Sequence, residues 1–500
     1  MKAKQPLYDP ATGIHRAKVW EIAFYALNNT STNCYMLITM YITYFLMGPI
    51  GVAAVLAGSL ATILRIWDGV TDPVIGFIVD KTNGKFGKNR PFILIGQVIM
   101  ISAFAILFNF VPNAPAALRL PLYIVFYAIW VLGYTCQCVV TKSAQTCLTN
   151  DPKQRPIFSI FDSIFNMAVF AIIPMYITGV LVPKYNVVDE AGNILTSAFY
   201  VKEFHQALFV LGATLSVVFA IFAIIGLWRK DRPEFFGTGK AQMVKFSDYF
   251  EVLKKNRAIQ MLCVACCSDK LSMTVAQNAT VMAVLFGVII GDYSQYTAFT
   301  GISSILGIII PMVLVLVIAR NFGQKQSLMI ATYGGIITAI AVFFMLWLGD
   351  PTQINFTNMN GYTVLFLLVF CLMKGMGGFS STIVIPMTAD CADYEVYRSG
   401  RYVPGLMGTL FSFIDKVTSS LGTTIIALLY AAIGFKEQLP DQTTAYSESI
   451  FWITMFCLIG LPLIGLLLNI VAMKYYPLTK EKMESIQEEI ARIKAEASAE

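Results

Sequence analysis

The sequence of 500 residues is poor in charge and very poor in histidine. Only 13% of its residues are Asp, Glu, Lys or Arg, whereas soluble domains carry roughly 25%, so a water-soluble fold is not expected. The two histidines, His15 and His205, lie in polar segments without companion metal ligands or nucleophiles. The sequence therefore offers no constellation for an enzyme active site, and we expect neither catalysis nor a cofactor.

A signal-peptide pattern and long polar segments are absent as well. The first 18 residues are polar and contain no short apolar core followed by a cleavage site. The other polar stretches are too short for a separate soluble domain. We therefore expect membrane insertion to begin with the first spanning helix.

Disulfides are not expected, although the chain contains 10 cysteines. All of them lie in or beside apolar segments, where cysteine acts as a small apolar side chain. Cys263, Cys266 and Cys267 form a cluster, but no second Cys or His pair at zinc-site spacing accompanies it. We predict free thiols and no transition-metal site.

Apolar runs dominate the chain, with 57% hydrophobic residues and a mean hydropathy of +0.66. A helix needs about 17 to 25 predominantly apolar residues to cross a bilayer, and runs of this length recur throughout. The predicted fold class is an all-α membrane protein with twelve transmembrane helices in two six-helix bundles. The predicted helices span residues 17–47, 51–79, 91–110, 120–147, 157–182, 207–228, 258–290, 296–319, 326–348, 362–389, 404–433 and 450–475.

Basic residues are concentrated in alternate loops. On one side the loops hold Lys81, Lys85, Lys88, Arg90, Lys153 and Arg155, and further Lys and Arg residues flank the central polar stretch. The opposite loops hold only Arg119, Lys184, Lys202 and Lys436. The positive-inside rule therefore predicts that both termini are cytoplasmic.

The central polar stretch divides the chain into two halves. We predict an N-terminal bundle at 1–228, a cytoplasmic central loop at 229–257, a C-terminal bundle at 258–476 and a cytoplasmic amphipathic tail at 477–500. Transporters built from repeated bundles place their substrate site between the halves near mid-membrane, which is where we expect this site.

An acid pair in the second predicted helix is the strongest candidate for a functional site. Asp68 and Asp72 are four residues apart and share one helix face, with Arg65 one turn before Asp68. Pro73 has no N–H, so the carbonyl oxygen of Gly69 loses its helical partner beside the two carboxylates. Because ionised side chains in a spanning helix are costly, this cluster is expected to have a function.

The acid pair fits either of two coupling ions. A hard cation such as Na⁺ prefers oxygen ligands, whereas repulsion between two desolvated acids would let one of them hold a proton. The sequence does not show whether the coupling ion is Na⁺ or H⁺. A purely structural ion network, in which Arg65 neutralises one acid and a distant lysine the other, is the alternative.

The sequence around this pair resembles a known family. The segment from Arg65 to Gly76, the loop from Gly84 to Pro91, and the motifs at 253–257, 390–401 and 411–416 are similar to the glycoside-pentoside-hexuronide cation symporters, which belong to the major facilitator superfamily. The resemblance implies cation binding by Asp68, Asp72 and Thr71, with Gly69 beside them. It also implies a coupling role for Lys416, to which we add Arg65.

The family's sugar-binding positions are exchanged in this chain, since its acid in the first helix corresponds to Asn29 here. Asn28 and Asn29 could bind a hydroxylated solute or join helices by hydrogen bonds. Lys142 and Asp162 could form a structural salt bridge with each other, and so could Asp269 with Lys270 or Lys374. In that case these charged residues would not contact the solute or take part in coupling. The residues predicted to bind substrate are Asn28, Asn29, Trp130, Tyr134, Gln137, Lys142 and Lys374, although aromatic residues at helical spacing are usually packing.

The loop after the second helix resembles the superfamily's gating loop, which implies that Asp80, Lys85 and Arg90 latch one conformation. The predicted function is symport of a small polar solute with Na⁺ or H⁺ by alternating access, and a glycoside, pentoside or hexuronide is the expected solute class. The alternative is a proton-coupled exporter or a uniporter of a non-sugar solute on the same fold. The expected setting is a functional monomer in the bacterial inner membrane, with no nucleic-acid partner.

Overall fold

The computed structural model describes residues 8–9, 14–82, 84, 86–149, 154–191, 193–232, 246–314, 323–399 and 404–497. These residues form mainly α-helices, with two short two-stranded sheets, β1–β2 and β3–β4. The chain divides into two units, Met1–Ala241 and Gln242–Glu500, which we call unit 1 and unit 2. The predicted boundaries of bundles, central loop and tail stay predictions.

Unit 1 contains the helices of the first predicted bundle. Its strands are β1 (Tyr8–Asp9), β2 (Ile14–His15), β3 (Val187–Val188) and β4 (Ile194–Thr196). Its helices are α1 (Val19–Thr39), α2 (Ile42–Phe45), α3 (Ala54–Lys81), α4 (Arg90–Asn109), α5 (Ala116–Ser143), α6 (Gln145–Leu148), α7 (Arg155–Tyr176), α8 (Val182–Tyr185) and α9 (Lys202–Leu227).

Unit 2 contains the helices of the second predicted bundle and a C-terminal helix. They are α10 (Phe246–Lys255), α11 (Arg257–Ala276), α12 (Ala279–Val284), α13 (Gln295–Leu314), α14 (Gln324–Leu348), α15 (Gly361–Ser399), α16 (Pro404–Ala432), α17 (Glu448–Met455), α18 (Leu461–Tyr475) and α19 (Lys480–Ala497).

Nine helical stretches of the described chain are long and apolar enough to cross a membrane. They are Ala54–Gly76, Arg90–Asn113, Ala116–Thr141, Ile160–Tyr185, Lys202–Leu227, Arg257–Ala276, Gln324–Leu348, Gly361–Ser380 and Glu448–Tyr475. The other three predicted spans correspond to α1, α13 and α16, which are long helices at the predicted places.

Three of the predicted helices are interrupted, the fourth predicted helix only at Ala144, between α5 and α6. The first breaks between α1 and α2, and a π-helical turn, Leu46–Ile50, follows around Pro49, which lacks the N–H that a regular helix requires. The seventh breaks at Asn278, whose side-chain oxygen accepts from Thr280 N over 2.9 Å and starts α12. Apolar residues flank the first and the seventh break on both sides, which is why the sequence predicted single helices.

Buried polar side chains connect the helices of unit 1. Gln97 of α4 accepts from Gln137 of α5 over 2.8 Å, and Gln97 Nε2 donates to Ser216 of α9 over 3.0 Å. Ser216 in turn lies 2.7 Å from Ser31 Oγ on α1. Four helices therefore share one buried network, in which each amide and hydroxyl finds a partner away from water.

The start of α4 is capped from a distant part of the chain. Asp231, which follows α9 and is fully buried, accepts from the backbone N–H of Asn89 over 2.9 Å and of Arg90 over 2.8 Å. It also accepts from Lys88 N over 3.1 Å and lies 3.5 Å from Arg90 Nε. Gly87, with φ +91°, brings the loop so close that a Cβ there would collide with Asp231. One carboxylate therefore satisfies several orphan N–H groups at a helix N-terminus.

Unit 2 contains a comparable buried carboxylate. Glu395 of α15 is 1% exposed, pairs with Arg398 and accepts from Asn256 Nδ2 over 2.9 Å. Asn256 lies just before α11 and belongs to the 253–257 motif, so this contact joins two of the segments on which the family resemblance depends. The C-terminal helix α19 packs on the same unit, with Ile486 fully buried in its core.

Asp390 of α15 provides a test of pH-dependent stability. It lies beyond the Gly361–Ser380 span and lines a cavity of about 820 Å³ beside α14 and α19. Burial, and then the charge of Asp393, raise the pKa of Asp390 to about 6. Because the folded pKa lies above the unfolded one, the cost of ionising Asp390 is absent below about pH 4 and is complete above the folded pKa.

We therefore expect Asp390→Asn to raise the melting temperature of the purified protein at about pH 8 and to leave it unchanged at about pH 4. Melting followed by tryptophan fluorescence in detergent measures this. The exposed Glu437→Gln change is the control. An equal shift at both pH values would contradict an ionisation effect.

Candidate functional site

The acid pair lies on α3, within the candidate span Ala54–Gly76. Asp68 is 1% exposed, and its Oδ2 lies 3.2 Å from Arg65 Nη1. Asp72 is half-buried one turn further along the same helix. The pairing of Arg65 with Asp68 is the contact that the structural alternative required for one acid.

Two hydroxyl groups adjoin Asp68. Thr71 donates to the backbone oxygen of Asp68 over 3.0 Å, and its Oγ lies 2.9 Å from Thr135 Oγ on α5. Thr135 donates to Asp68 Oδ1 over 3.3 Å. Both threonines are buried, at 3% and 0% exposure. Thr135 was missed in the sequence because a single threonine in an apolar helix gives no sign of the helix that it faces.

This cluster has oxygen atoms of the kind that a small hard cation prefers as ligands. Carboxylate and hydroxyl oxygens converge between α3 and α5, and Pro73 leaves the Gly69 carbonyl oxygen without its usual N–H partner. Among the described residues, no group of three or more His, Cys, Asp and Glu side chains could hold a metal ion. A site for Na⁺ would therefore depend on hydroxyl and carbonyl oxygens besides the two carboxylates, whereas a proton needs only one acid.

Arg65 has a second contact besides its ion pair. Its guanidinium lies 6.0 Å from the ring centre of Tyr134 on α5, and Tyr134 stacks on Trp130 with centroids 5.3 Å apart. Trp130 is 1% exposed and stacks on Phe104 at 4.6 Å. In this conformation Trp130 is packed between helices, while Tyr134, at 9% exposed, lies beside the charged cluster.

Asn28 and Gln137 are both fully buried inside unit 1. Asn28 Nδ2 donates to Gln137 O over 3.0 Å and to Thr141 Oγ1 over 2.6 Å. Gln137 donates to Ile93 O and Gln97. These are contacts between helices, so a direct contact with solute would require them to separate.

Asn29 belongs to a different, half-buried group of side chains. It donates to Asp162 Oδ1 of α7 over 2.9 Å, and Asn166 donates to the same oxygen over 3.0 Å. Asn33, one turn after Asn29, donates to Asn166 Oδ1 over 2.8 Å. We call these four residues the amide ladder. The spacing of four residues in Asn29–Asn33 and in Asp162–Asn166 could have indicated a polar face on each helix, but not that the two faces meet.

The remaining predicted site residues lie apart from these clusters or outside the part of the chain that the structure describes. Lys374 of α15 is half-buried, with Nζ 5.9 Å from the ring centre of Phe299. Lys416 lies half-buried on α16, and its coupling role stays a prediction. Lys85 and the side chains of Asp80 and Lys142 lie outside the described part of the chain. The partner of Arg90 is Asp231, which the sequence did not indicate.

Comparison with known proteins identifies the family. The family model described as MFS/sugar transport protein matches residues 29–480. The chain is 24% identical to the isoprimeverose transporter of Lactiplantibacillus pentosus over 95% of this chain and 92% of that protein. It is 21% identical to the glucuronide carrier protein homolog of Escherichia coli (strain K12), over 94% of both chains.

A solved structure supports the same fold. The crystal structure of the nucleoside transporter NupG aligns with a TM-score of 0.56 at 13% identity, covering 92% of this chain and 98% of that one. Together with the family model, this likeness confirms the predicted fold class, an all-α membrane protein of the major facilitator superfamily. With the family match over nearly the whole sequence, the chain belongs to the MFS/sugar transport protein family and is a multi-pass membrane transporter, not an enzyme.

Proposed function

We propose that this protein is a cation-coupled symporter of a small hydroxylated solute, a glycoside or pentoside. The observation that carries the proposal is the acid pair on α3. Asp68 and Asp72 share a helix face inside a candidate span, beside the hydroxyl groups of Thr71 and Thr135. Intramembrane acids that remain despite their insertion cost typically mark ion pathways. Na⁺ and H⁺ are both compatible with these oxygens.

Coupling follows from linkage between the two ligands. If cation binding at Asp68 and Asp72 favours the conformation that binds solute, each ligand raises the affinity of the other by the same factor. Alternating access then converts a cation gradient into solute accumulation. Arg65 takes part through its 3.2 Å contact with Asp68, and Asp72, one turn further along α3, is proposed as the group that exchanges the cation. Lys416 is proposed as a further coupling residue on the resemblance alone.

The amide ladder is the proposed contact for the solute. Amide groups and a carboxylate oxygen suit the many hydroxyl groups of a sugar, because each hydroxyl both donates and accepts. The carboxylate of Asp162 would repel the carboxylate of a hexuronide. The ladder therefore favours a neutral glycoside, the class to which the isoprimeverose of the relative from Lactiplantibacillus pentosus belongs. A hexuronide would require a cationic side chain to bind its carboxylate, and Lys142 and Lys374 are the candidates for that role.

We place the protein in the inner membrane of a bacterial cell, with both termini in the cytoplasm. The concentration of basic residues in the loops on one side of the predicted spans supports cytoplasmic termini. The bacterial origin of the named relatives supports the bacterial membrane. We propose that the monomer is the functional unit, because each unit has its own buried hydrophobic core.

Uptake into membrane vesicles tests the function. Labelled neutral glycosides, pentoses and uronides are supplied with a sodium gradient, a proton gradient or neither. Gradient-dependent accumulation of a glycoside or pentose is the expected result, and the gradient that drives it identifies the coupling ion. Equilibration without accumulation would indicate a uniporter, and gradient-driven efflux an exporter; either result would overturn the symport proposal.

The amide ladder gives a separate prediction about solute affinity. We expect Asp162→Asn to raise the KM for uptake about 10-fold or more, because a hydrogen bond to a charged group contributes about 1.5–3 kcal/mol. The gradient dependence should persist, since the acid pair is unchanged. Glu190→Gln, an exposed acid of the same unit, is the control. An unaltered KM in Asp162→Asn would remove the ladder from the solute site.

A further inference from the structure

The seam between α11 and α18 in unit 2 contains a buried acid that the proposed function does not use. Ser272 of α11 donates to Leu461 O over 3.0 Å at one end of the seam. One turn on, a Cβ at Gly465 would lie 2.5 Å from Ser272 Oγ, so the two helices approach closely. A further turn on, Asn469 Nδ2 donates to Asp269 Oδ2 over 2.8 Å. The close approach holds this amide and this acid face to face.

Asp269 has an amide partner, whereas a lysine partner was one of the alternatives that the sequence left open. It is 4% exposed and lies within the candidate span Arg257–Ala276. None of the ion pairs between described residues involves it. Lys270, its neighbour in sequence, is exposed, and Lys374 lies by Phe299. Among the described residues the salt bridge that was one alternative for Asp269 is therefore not formed, and Lys270 points to a different side of the helix because it is adjacent in sequence.

The amide of Asn469 reveals the chemical form of its partner. Asn469 is fully buried, and its Oδ1 meets no hydrogen-bond donor among the described residues. An ionised carboxylate can only accept, so it could satisfy Nδ2 of this amide but never Oδ1. A protonated carboxyl has one O–H donor and can satisfy both atoms of the amide at once. Leaving the amide oxygen without a donor would cost about 1–3 kcal/mol.

We propose that Asp269 and Asn469 form a proton-binding site in unit 2, in which Asp269 carries a proton on Oδ1 and donates it to Asn469 Oδ1. Asn469 Nδ2 donates in return to Asp269 Oδ2, so that acid and amide make two antiparallel hydrogen bonds. An ionised acid inside a membrane span would require a cationic partner, and a bound proton removes that requirement because it neutralises the carboxylate. The site is independent of the acid pair on α3 and of the identity of the solute.

The surroundings of the pair supply hydroxyl, thiol and charged groups. Ser380 of α15 is 3% exposed and lies beside Asp269, and its hydroxyl donates to Gly377 O over 3.3 Å. On α18, Lys474 and Tyr475 lie only at the end of the helix, away from Asn469. Titratable groups on the packed elements include Cys263, Cys266, Cys267 and Lys270 of α11, Cys371, Lys374 and Cys391 of α15, and Asp415 and Lys416 of α16.

Infrared spectroscopy of the purified full-length protein in lipid tests the proton directly. At about pH 7 exposed acids are ionised, so a carbonyl band of a protonated carboxylic acid reports a buried acid that holds its proton. We expect such a band in the wild type, its loss in Asp269→Asn, and its retention in Glu437→Gln. Identical spectra of the wild type and Asp269→Asn in this region would overturn the proposal. Transport is not measured, so failure of the symport proposal would leave this result unaffected.

A second variant tests the pairing without removing the acid. Asn469→Leu keeps a side chain of similar size but deletes the donor to Asp269 Oδ2. We expect the carbonyl band to move to higher frequency, because its carbonyl oxygen no longer accepts the amide N–H. Retention of the band at the wild-type frequency would overturn the pairing of acid and amide.

Discussion

Replacing Asp72 by Asn should abolish gradient-driven accumulation of the solute in vesicles. The side chain keeps its shape and loses the negative charge that attracts the cation, so the coupling between cation and solute is lost. Coupling free energies of this kind correspond to about 5- to 150-fold changes in affinity. We therefore expect the ion dependence of solute affinity in Asp72→Asn to fall by a factor in this range. Uptake with and without the driving gradient measures the effect.

Asp72 is a better target than Asp68 for this test. Asp68 is 1% exposed and lies 3.2 Å from Arg65, so Asp68→Asn would also leave a charged guanidinium without its carboxylate. Asp72 is only half-buried, which limits the structural cost of neutralising it. Glu437→Gln, on an exposed loop of unit 2, should accumulate solute as the wild type does. Undiminished gradient dependence in Asp72→Asn would place the coupling site elsewhere.

Removing the Asp231 carboxylate should be the most destabilising single change outside the candidate site. It accepts from three successive backbone N–H groups, at Lys88, Asn89 and Arg90, and lies 3.5 Å from Arg90 Nε. Asp231→Ala would leave these donors and the Arg90 charge buried without their acceptor. Breaking a buried ion pair by removing one partner costs about 3–5 kcal/mol. We expect a large fall in melting temperature and in the yield of monodisperse protein.

Two further variants separate the charge of Asp231 from its hydrogen bonds. Asp231→Asn keeps one acceptor oxygen, so its stability should lie between those of the wild type and Asp231→Ala. Arg232→Ala alters the exposed neighbouring residue and should melt as the wild type does. If Asp231→Ala had the same melting temperature as Arg232→Ala, the cap of α4 would contribute little to stability. Size-exclusion chromatography before and after heating gives both readouts.

The sequence alone predicted the features that depend on neighbouring residues in the chain. Membrane-spanning length follows from runs of apolar residues, and the common face of Asp68 and Asp72 follows from the helical period. Thr135 was missed because it is a single polar residue whose partners lie on another helix, and Asn166 because the sequence does not show that its face of α7 meets Asn33 of α1. Helix breaks such as the one at Asn278 were missed too, since capping depends on side-chain hydrogen bonds and leaves hydropathy unchanged.

What the sequence determined is therefore the membrane class of the protein, its helices and the acids that they carry. Only the tertiary structure decided that Asn89 meets Asp231, 142 residues away, and that Asp269 meets Asn469, 200 residues away. The physical reason is that lipid and a neighbouring helix are both apolar, so hydrophobicity does not specify which helix faces meet. Close contacts at glycines and the pairing of buried polar groups make that choice, and both exist only in the folded chain.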